Sequence, residues 1–366
     1  MYDYLIVGAG LFGATLAYKL KTTGKRVLVI DKKDVVGGTV YTDVQENIPV
    51  HRYGAHIFRT DDADVWNFFT RFTEFVPFVN TPIAICKGVA YNMPFNMNTF
   101  AKLWNVTTPD EAKAIIKLQT SKYAETVPGN LEEFALATVG YDIYDNFIKG
   151  YTEKQWNKPC SELPVSTMSR IPIRLTYNNN YYSARFQGVP INGYTPIILS
   201  MLDGVDVLFN IDGEKFVKSN PTIANKIIYT GRIDEFFGFN LGKLEYRSLR
   251  FEHKVFDVEN KQGVAVVNWS DADVPQTRTI EHKHFTGALS NKTVVSYEYP
   301  AECSNDNEAY YPINTDANNA LYEKYLKMNN TGIIFAGRLG KYRYYDMSDT
   351  ITEAIKLADK LLKEDR

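Results

Sequence analysis

The chain is poor in the residues that hold metals or make covalent staples. Its 366 residues include 3 Cys and 5 His. Cys86, Cys160 and Cys303 stand far apart and are odd in number, so they suggest neither a disulfide framework nor a metal-ligand spacing. His282 and His284 read as alternating on one strand face, but no third ligand accompanies them, and no metal is expected. Charge of one sign is lacking too: 41 Lys and Arg oppose 43 Asp and Glu, a net charge of −2. A general nucleic-acid binder needs a basic footprint, so that class is excluded. No apolar run approaches the roughly 18–20 residues of a membrane span, and Met1-Tyr2-Asp3-Tyr4 carries no basic leader region. A cytoplasmic globular chain with no membrane partner is expected. There is no G-x-S-x-G nucleophile elbow, no internal repeat and no low-complexity linker.

Aromatic residues are what the chain has in excess. It contains 25 Tyr against 23 Gly, with 21 Phe and 4 Trp besides. Tyr joins a flat apolar face to a hydroxyl, which suits a wet pocket for a polar ligand. It also fills ordinary strands, so the count alone does not choose. The length predicts two or three structural units, because a single core seldom grows past about 250–300 residues.

The two ends of the chain carry the clearest patterns. Residues 4–7 read as a buried strand, and Gly8-Ala9-Gly10-Leu11-Phe12-Gly13 follows as a G-x-G-x-x-G. A helix pattern runs to about Thr22, residues 26–30 make a second strand, and Asp31 closes it. This is the full strand–helix–strand setting of a dinucleotide site. The pyrophosphate sits at the helix N-terminus, where free N–H groups and the dipole favour an anion, and Asp31 is placed for a ribose hydroxyl. Gly37-Gly38-Thr39 resembles the Gly-Gly signature after the second strand of FAD oxidoreductases and amine oxidases. Near the other end, 332–337 read as a strand. Asp346 and Asp349 then cap a helix whose Ile351, Ala354, Ile355, Ala358, Leu361 and Leu362 form one apolar stripe. Its N-terminus could face a flavin and stabilise a reduced, anionic ring. No second G-x-G-x-x-G marks a separate NADPH domain.

Between them, 108–180 look helical, with a capping box at Thr108-Pro109-Asp110-Glu111 and an amphipathic segment at 141–149. Residues 205–211 and 226–230 read as further strands of the first sheet, and 244–300 alternate like an antiparallel sheet. Arg residues set among aromatics stand out, as in Tyr342-Arg343-Tyr344-Tyr345-Asp346. Arg matches a diphosphate bidentately, and Tyr or Trp can stack on a base, so the clustering suggests a second phosphorylated ligand. Surface ion pairs and strand Tyr remain the plain alternative.

The motifs together resemble bacterial UDP-galactopyranose mutases over essentially the whole chain. The matching stretches are 6–13, 53–58, 94–97, 150–156 (Gly-Tyr-Thr-Glu-Lys-Gln-Trp), 170–172, 281–285 (Glu-His-Lys-His-Phe), 310–312 and 337–339. The resemblance implies an α/β fold: an FAD-binding Rossmann-like domain (1–76, 194–240 and 313–366), an inserted helical domain (96–180) carrying a mobile substrate loop, and an antiparallel β-sheet domain (77–95, 181–193 and 241–312). It implies a homodimer, a UDP-sugar substrate, and a role in cell-surface polysaccharide biosynthesis. Its chemistry is a non-redox ring contraction of UDP-galactopyranose to UDP-galactofuranose that needs reduced FAD, whose N5 attacks the anomeric carbon and forms a sugar adduct.

Carried over by residue, Arg170 and Arg278 match the paired diphosphate arginines, and these with Arg59 and Tyr344 form the catalytic set. Gly8, Gly10, Phe12, Gly13, Asp31, Lys32, Gly38, Thr39, His56, Ile57, Arg338, Tyr345, Asp346 and Met347 match FAD contacts. Tyr151 matches the uracil-stacking position, with Thr152 and Trp156 beside it; Tyr181, Tyr311 and Tyr344 match hydroxyls around the diphosphate and sugar; Asn80, Arg247 and Asn268 fall near the sugar. Two positions depart from the pattern. Arg59 stands where the family usually has His, which resembles members that also take UDP-N-acetylgalactosamine, and Thr39 replaces a commoner Asn. An FAD-dependent amine oxidase-like oxidoreductase uses the same glycine motifs and is the alternative reading. A binding protein with structural FAD is another.

Overall fold

The computed structural model describes all residues except 124–126, 169–172, 305–306 and 366. Its first sheet is parallel and five-stranded, in the order Asp206–Leu208, Val27–Ile30, Tyr2–Val7, Ala224–Tyr229, Ile334–Phe335. Leu5, Ile6, Val29 and Ile30 are fully buried, as a parallel sheet covered on both faces requires. Leu11–Lys21 lies on one face, where Ala14, Ala17 and Leu20 share a core with Ile351, Ala354, Ala358 and Leu361 of the C-terminal helix Met347–Glu364. Small side chains let the two helices approach, and each buried Ile or Leu contributes about 1.5–3 kcal/mol. Gly13 marks the tightest seat. A Cβ there would stand 1.9 Å from the Gly8 carbonyl oxygen, so the helix rests on the strand only because the side chain is absent.

A second sheet has seven strands, ordered Tyr311–Pro312, Tyr246–Phe256, Thr293–Glu302, Arg278–Glu281, Val266–Trp269, Ile83–Cys86, Val89–Asn92. All its pairings are antiparallel except Val266–Trp269 with Ile83–Cys86. Beside it Met97–Trp104, Pro109–Thr120, Leu131–Val139 and Gly150–Trp156 enclose an apolar cluster around Phe95, Phe100, Val139 and Phe147. The Thr108–Glu111 and Asp346–Asp349 capping boxes both form. No described helix is long and apolar enough to cross a membrane.

Four expectations need correction. His282 and His284 do not alternate on a strand: Arg278–Glu281 ends before them, and Lys283–Thr286 is one helical turn closed by Gly287 in the left-handed region. Residues 141–149 hold one α-turn, Tyr141–Ile143, followed by a π-helix, Tyr144–Lys149, whose wider winding shifts the face that follows. Only Ile334–Phe335 of 332–337 pairs as strand. Phe186–Pro190, expected with the large antiparallel sheet, instead lies between Phe58–Thr60 and Phe75–Pro77 in a separate three-stranded sheet. Alternation identifies a strand but not its partner.

Candidate functional site

A cavity of about 720 Å³ opens where the parallel strands end. This is the crevice in which open α/β sheets bind ligands. One half is built from backbone. Helix Leu11–Lys21 begins on Gly10 with no capping side chain and no acid in its first turn, so its leading N–H groups face the cavity unspent. A Cβ on Gly10 would find Gly38 Cα at 3.8 Å and otherwise fill cavity space. Asp31 is held by the chain itself: Oδ2 accepts from the Ala9 N–H at 2.7 Å and Oδ1 from the Lys33 N–H at 2.9 Å. Carboxylate lone pairs remain for a ribose. Lys32 and Lys33 pair with Glu308 at 3.2 and 3.3 Å, and Lys33 lies over the Tyr53 ring. These features fit an anionic dinucleotide: an uncapped helix start, a glycine cradle and an acid at the strand end.

The other half is built from side chains. Arg59 stands 3.2 Å from Asp346 and lies on the Tyr182 ring at 4.3 Å. Asp346 also caps Met347–Glu364, so that helix's positive end faces the cavity beside an ion pair. Tyr311 stacks on Tyr344 with ring centroids 6.0 Å apart. Arg278 donates from Nε to Glu298 Oε1 at 2.9 Å, and Nη2 lies at the same distance. Burial opposes its charge, but Glu298 more than compensates and holds its pKa well above the ordinary value. Burial raises the Tyr151 and Tyr181 hydroxyls against the opposing pull of Arg278, and pushes Tyr311 up to about 12. All three keep their protons for donation.

His56 is neutral, its pKa pushed down to about 4 by burial. Its Nδ1 faces the Gly54 carbonyl at 2.9 Å, which assigns the proton to Nδ1 and leaves Nε2 as an acceptor. Its backbone N–H donates to His51 Nδ1, and the His51 N–H donates to His282 Nδ1. His282 Nε2–H must then donate to Ser296 Oγ, and Ser296 to His253 Nδ1. The cavity wall is thus braced by hydrogen bonds that link His56 to three further histidines, the step from His51 to His282 being made by the His51 backbone N–H.

Of the residues expected from sequence, Gly8, Gly10, Phe12, Asp31, Lys32, Gly38, Thr39, His56, Ile57, Arg59, Arg278, Tyr311, Arg338, Tyr344, Tyr345, Asp346 and Met347 all line this cavity. Gly13 sits behind it as helix–strand packing. Tyr151 and Tyr181 stand off its wall but neighbour Arg278. Thr152 and Trp156 share Tyr151's helix, and Trp156 packs on the helical core. Asn268 faces Arg278 across the strand pair and donates to the Ile83 carbonyl. Arg247 is buried opposite Tyr311 and donates to the Gln155 carbonyl. Asn80 is buried, and its Oδ1 has no hydrogen-bond partner among the described residues. Arg170 falls outside the described residues. Sequence reasoning missed Lys33, Tyr53, Tyr182, Thr230, Glu298 and Glu308. Only Glu298 carried a usable signal: it stands in register with Arg278 once the strands are paired.

A glycine cradle and an Arg–Tyr wall thus meet in one crevice. A family model described as UDP-galactopyranose mutase matches residues 146–344, and one described as an NAD(P)-binding Rossmann-like domain matches 6–72. The chain is 39% identical to a probable UDP-galactopyranose mutase of Klebsiella pneumoniae, over 98% of this chain and 94% of the relative. The chain belongs to the UDP-galactopyranose mutase family. It is also 37% identical to a dTDP-fucopyranose mutase of Escherichia coli over the full length of both chains. A solved structure of reduced UDP-galactopyranose mutase superposes with TM-score 0.77 at 16% identity, covering 100% of this chain and 94% of that one. A putrescine oxidase superposes at 0.59 with 13% identity, a likeness of fold alone. The cofactor of this family member is FAD, and the cradle described above fits it.

Proposed function

We propose that the protein interconverts the pyranose and furanose forms of a nucleotide sugar, UDP-galactose first, with no net redox change. The observation that carries this reading is Arg278, fixed by Glu298 and flanked by Tyr311 and Tyr344, on the wall of the cavity that holds the dinucleotide cradle. The cradle residues would hold FAD, which in its reduced form would supply an electron-rich nucleophile to the site. The chain's own residues handle the diphosphate. Arg278 meets it with a permanent, pre-oriented charge, and neutral Tyr hydroxyls donate to its oxygens. A detached UDP must stay close enough to be rejoined, which such fixed donors achieve without reorganisation. Arg170, on the segment that resembles the family's mobile loop, supplies the second cation, and Tyr151 stacks on the base.

Arg59 adds a finer reading. Its guanidinium is longer than the usual His, always charged, and anchored by Asp346 and Tyr182, with donors left over for a sugar's 2-substituent. UDP-N-acetylgalactosamine is therefore a second substrate. The E. coli relative favours one further test substrate, a dTDP-linked 6-deoxy sugar. We place the enzyme in the cytoplasm as a homodimer. Dithionite-reduced protein, incubated with each nucleotide sugar and resolved by HPLC, tests the whole reading. A furanose product formed without consumption of an electron acceptor is expected. No conversion of any of the three sugars, or turnover that consumes an acceptor, rejects it.

A further inference from the structure

Lys154 lies one turn beyond Tyr151 on Gly150–Trp156. Among the described residues its ammonium donates to four backbone carbonyls: Trp269 at 2.9 Å, Asp271 at 3.0 Å, Val274 at 2.7 Å and Gln276 at 3.0 Å. The first belongs to the last residue of Val266–Trp269, and the other three to the loop that joins that strand to Arg278–Glu281. Trp269 directly follows Asn268, and Gln276 comes two residues before Arg278. One ammonium thus ties the helix of Tyr151 to both strands that end beside it. The same helix meets the same loop at Gly150, where a Cβ would come within 2.5 Å of the Ser270 carbonyl oxygen and 3.1 Å of the Ala272 nitrogen. The helix enters this seat directly from the π-turn Tyr144–Lys149, a local widening that sets which residue faces the loop.

We infer that Lys154, seated against the loop by Gly150, is the positioning residue that holds Tyr151 in register with Arg278 and so shapes the nucleotide half of the site. The inference rests on the nucleotide-sugar reading above. The carbonyl cage resembles the way backbone oxygens replace the hydration shell of a monovalent cation. A compact ammonium with three N–H donors fills it. A planar guanidinium does not. Lys154 touches neither substrate nor cofactor in this scheme; it acts through the two residues it ties together.

The test uses the FAD-loaded holoenzyme. Lys154→Met keeps the stem and removes the charge. Titration with UDP, and with dTDP in parallel, gives nucleotide affinity without turnover; KM and kcat are read on the sugar the wild type converts. Nucleotide Kd and KM are expected to rise about tenfold to a hundredfold, with kcat, FAD content and fold retained. In Lys154→Ala, methylammonium is expected to restore nucleotide affinity, and tetramethylammonium at equal ionic strength is not, because it has no N–H. Unchanged affinity in Lys154→Met, equal loss of FAD and nucleotide, or equal rescue by both amines overturns the inference. Should the Lys154 variants not fold, Gly150→Ala wedges the helix off the same loop, and unaltered nucleotide affinity there overturns it as well. Wild-type protein that binds UDP or dTDP but converts no sugar refutes the mutase reading and leaves this one intact.

Discussion

Alanine substitutions at Gly10 and Gly13 separate what the glycine loop does for the fold from what it does for the cofactor. Gly10 has φ −78° and ψ −175°, a conformation any residue adopts, and an added Cβ meets Gly38 Cα only at 3.8 Å and Gly37 O at 3.9 Å. Gly10→Ala should therefore leave the apoprotein within about 1 kcal/mol of wild type, since the loss of chain entropy favours Ala by about 0.4–1 kcal/mol and the poorer cap offsets roughly as much. The methyl nonetheless stands where a pyrophosphate approaches the helix start. Disturbing one or two charge-assisted hydrogen bonds, each about 1.5–3 kcal/mol, weakens FAD at least about tenfold. Gly13→Ala behaves differently. Its Cβ would lie 1.9 Å from the Gly8 carbonyl oxygen, a backbone atom with no rotamer to escape into. Helix and strand must part, at a cost of about 1–3 kcal/mol or more, and the apoprotein melts lower. The assay is thermal melting of flavin-stripped protein, then titration with FAD by fluorescence quenching. A Gly10→Ala protein that binds FAD as wild type does, or a Gly13→Ala apoprotein that melts as wild type does, refutes the reasoning.

Other outcomes follow from the same geometry. Arg59→His loses a partly exposed ion pair and one cation–π contact, about 1–2 kcal/mol together, so it should stay folded and flavin-bound while turnover of UDP-N-acetylgalactosamine falls at least about tenfold relative to UDP-galactose; an unchanged ratio of kcat/KM values removes Arg59 from specificity. Arg278→Ala, and Arg170→Ala likewise, should abolish nearly all turnover with flavin retained, and near-normal rates in either would dismiss the diphosphate assignment. Glu281 is buried and accepts from the Lys261 and Gln262 N–H groups and from Thr293. Burial works against its charge, but His284 and these donors prevail and lower its pKa to about 2 from an ordinary 4.5. A depressed carboxylate stabilises above its unfolded pKa and loses that contribution as pH falls toward the folded value. Glu281→Gln should thus be less stable than wild type at pH 6, and urea midpoints should converge between pH 5 and 2; a gap independent of pH contradicts this.

The parallel sheet was legible because its signals are local. Gly8 to Asp31 is one continuous strand–helix–strand unit, and Asp346 with Asp349 announces a helix within four residues. At the candidate site the family resemblance named Arg278 and Tyr344, and both line the cavity. What stayed hidden needs long-range pairing. Glu298 matters only because its strand aligns it with Arg278, and Tyr182 only because its ring meets Arg59. The His282–His284 segment misled because a strand's period of two also fits the start of a single helical turn. The π-turn at Tyr144–Lys149 was invisible because residue identities do not report whether a backbone N–H bonds back four residues or five. Lys154 stood inside the 150–156 stretch without a role of its own. No pattern in side chains reports that four carbonyls surround it.

The packing of Met347–Glu364 against Leu11–Lys21 makes the cavity depend on two segments far apart in the sequence. The cradle at Gly10 and the wall at Asp346 and Met347 face each other only while both helices are docked on one core. A ligand that needs both walls binds the docked state alone, so its occupancy stabilises the docking, and undocking the C-terminal helix releases it.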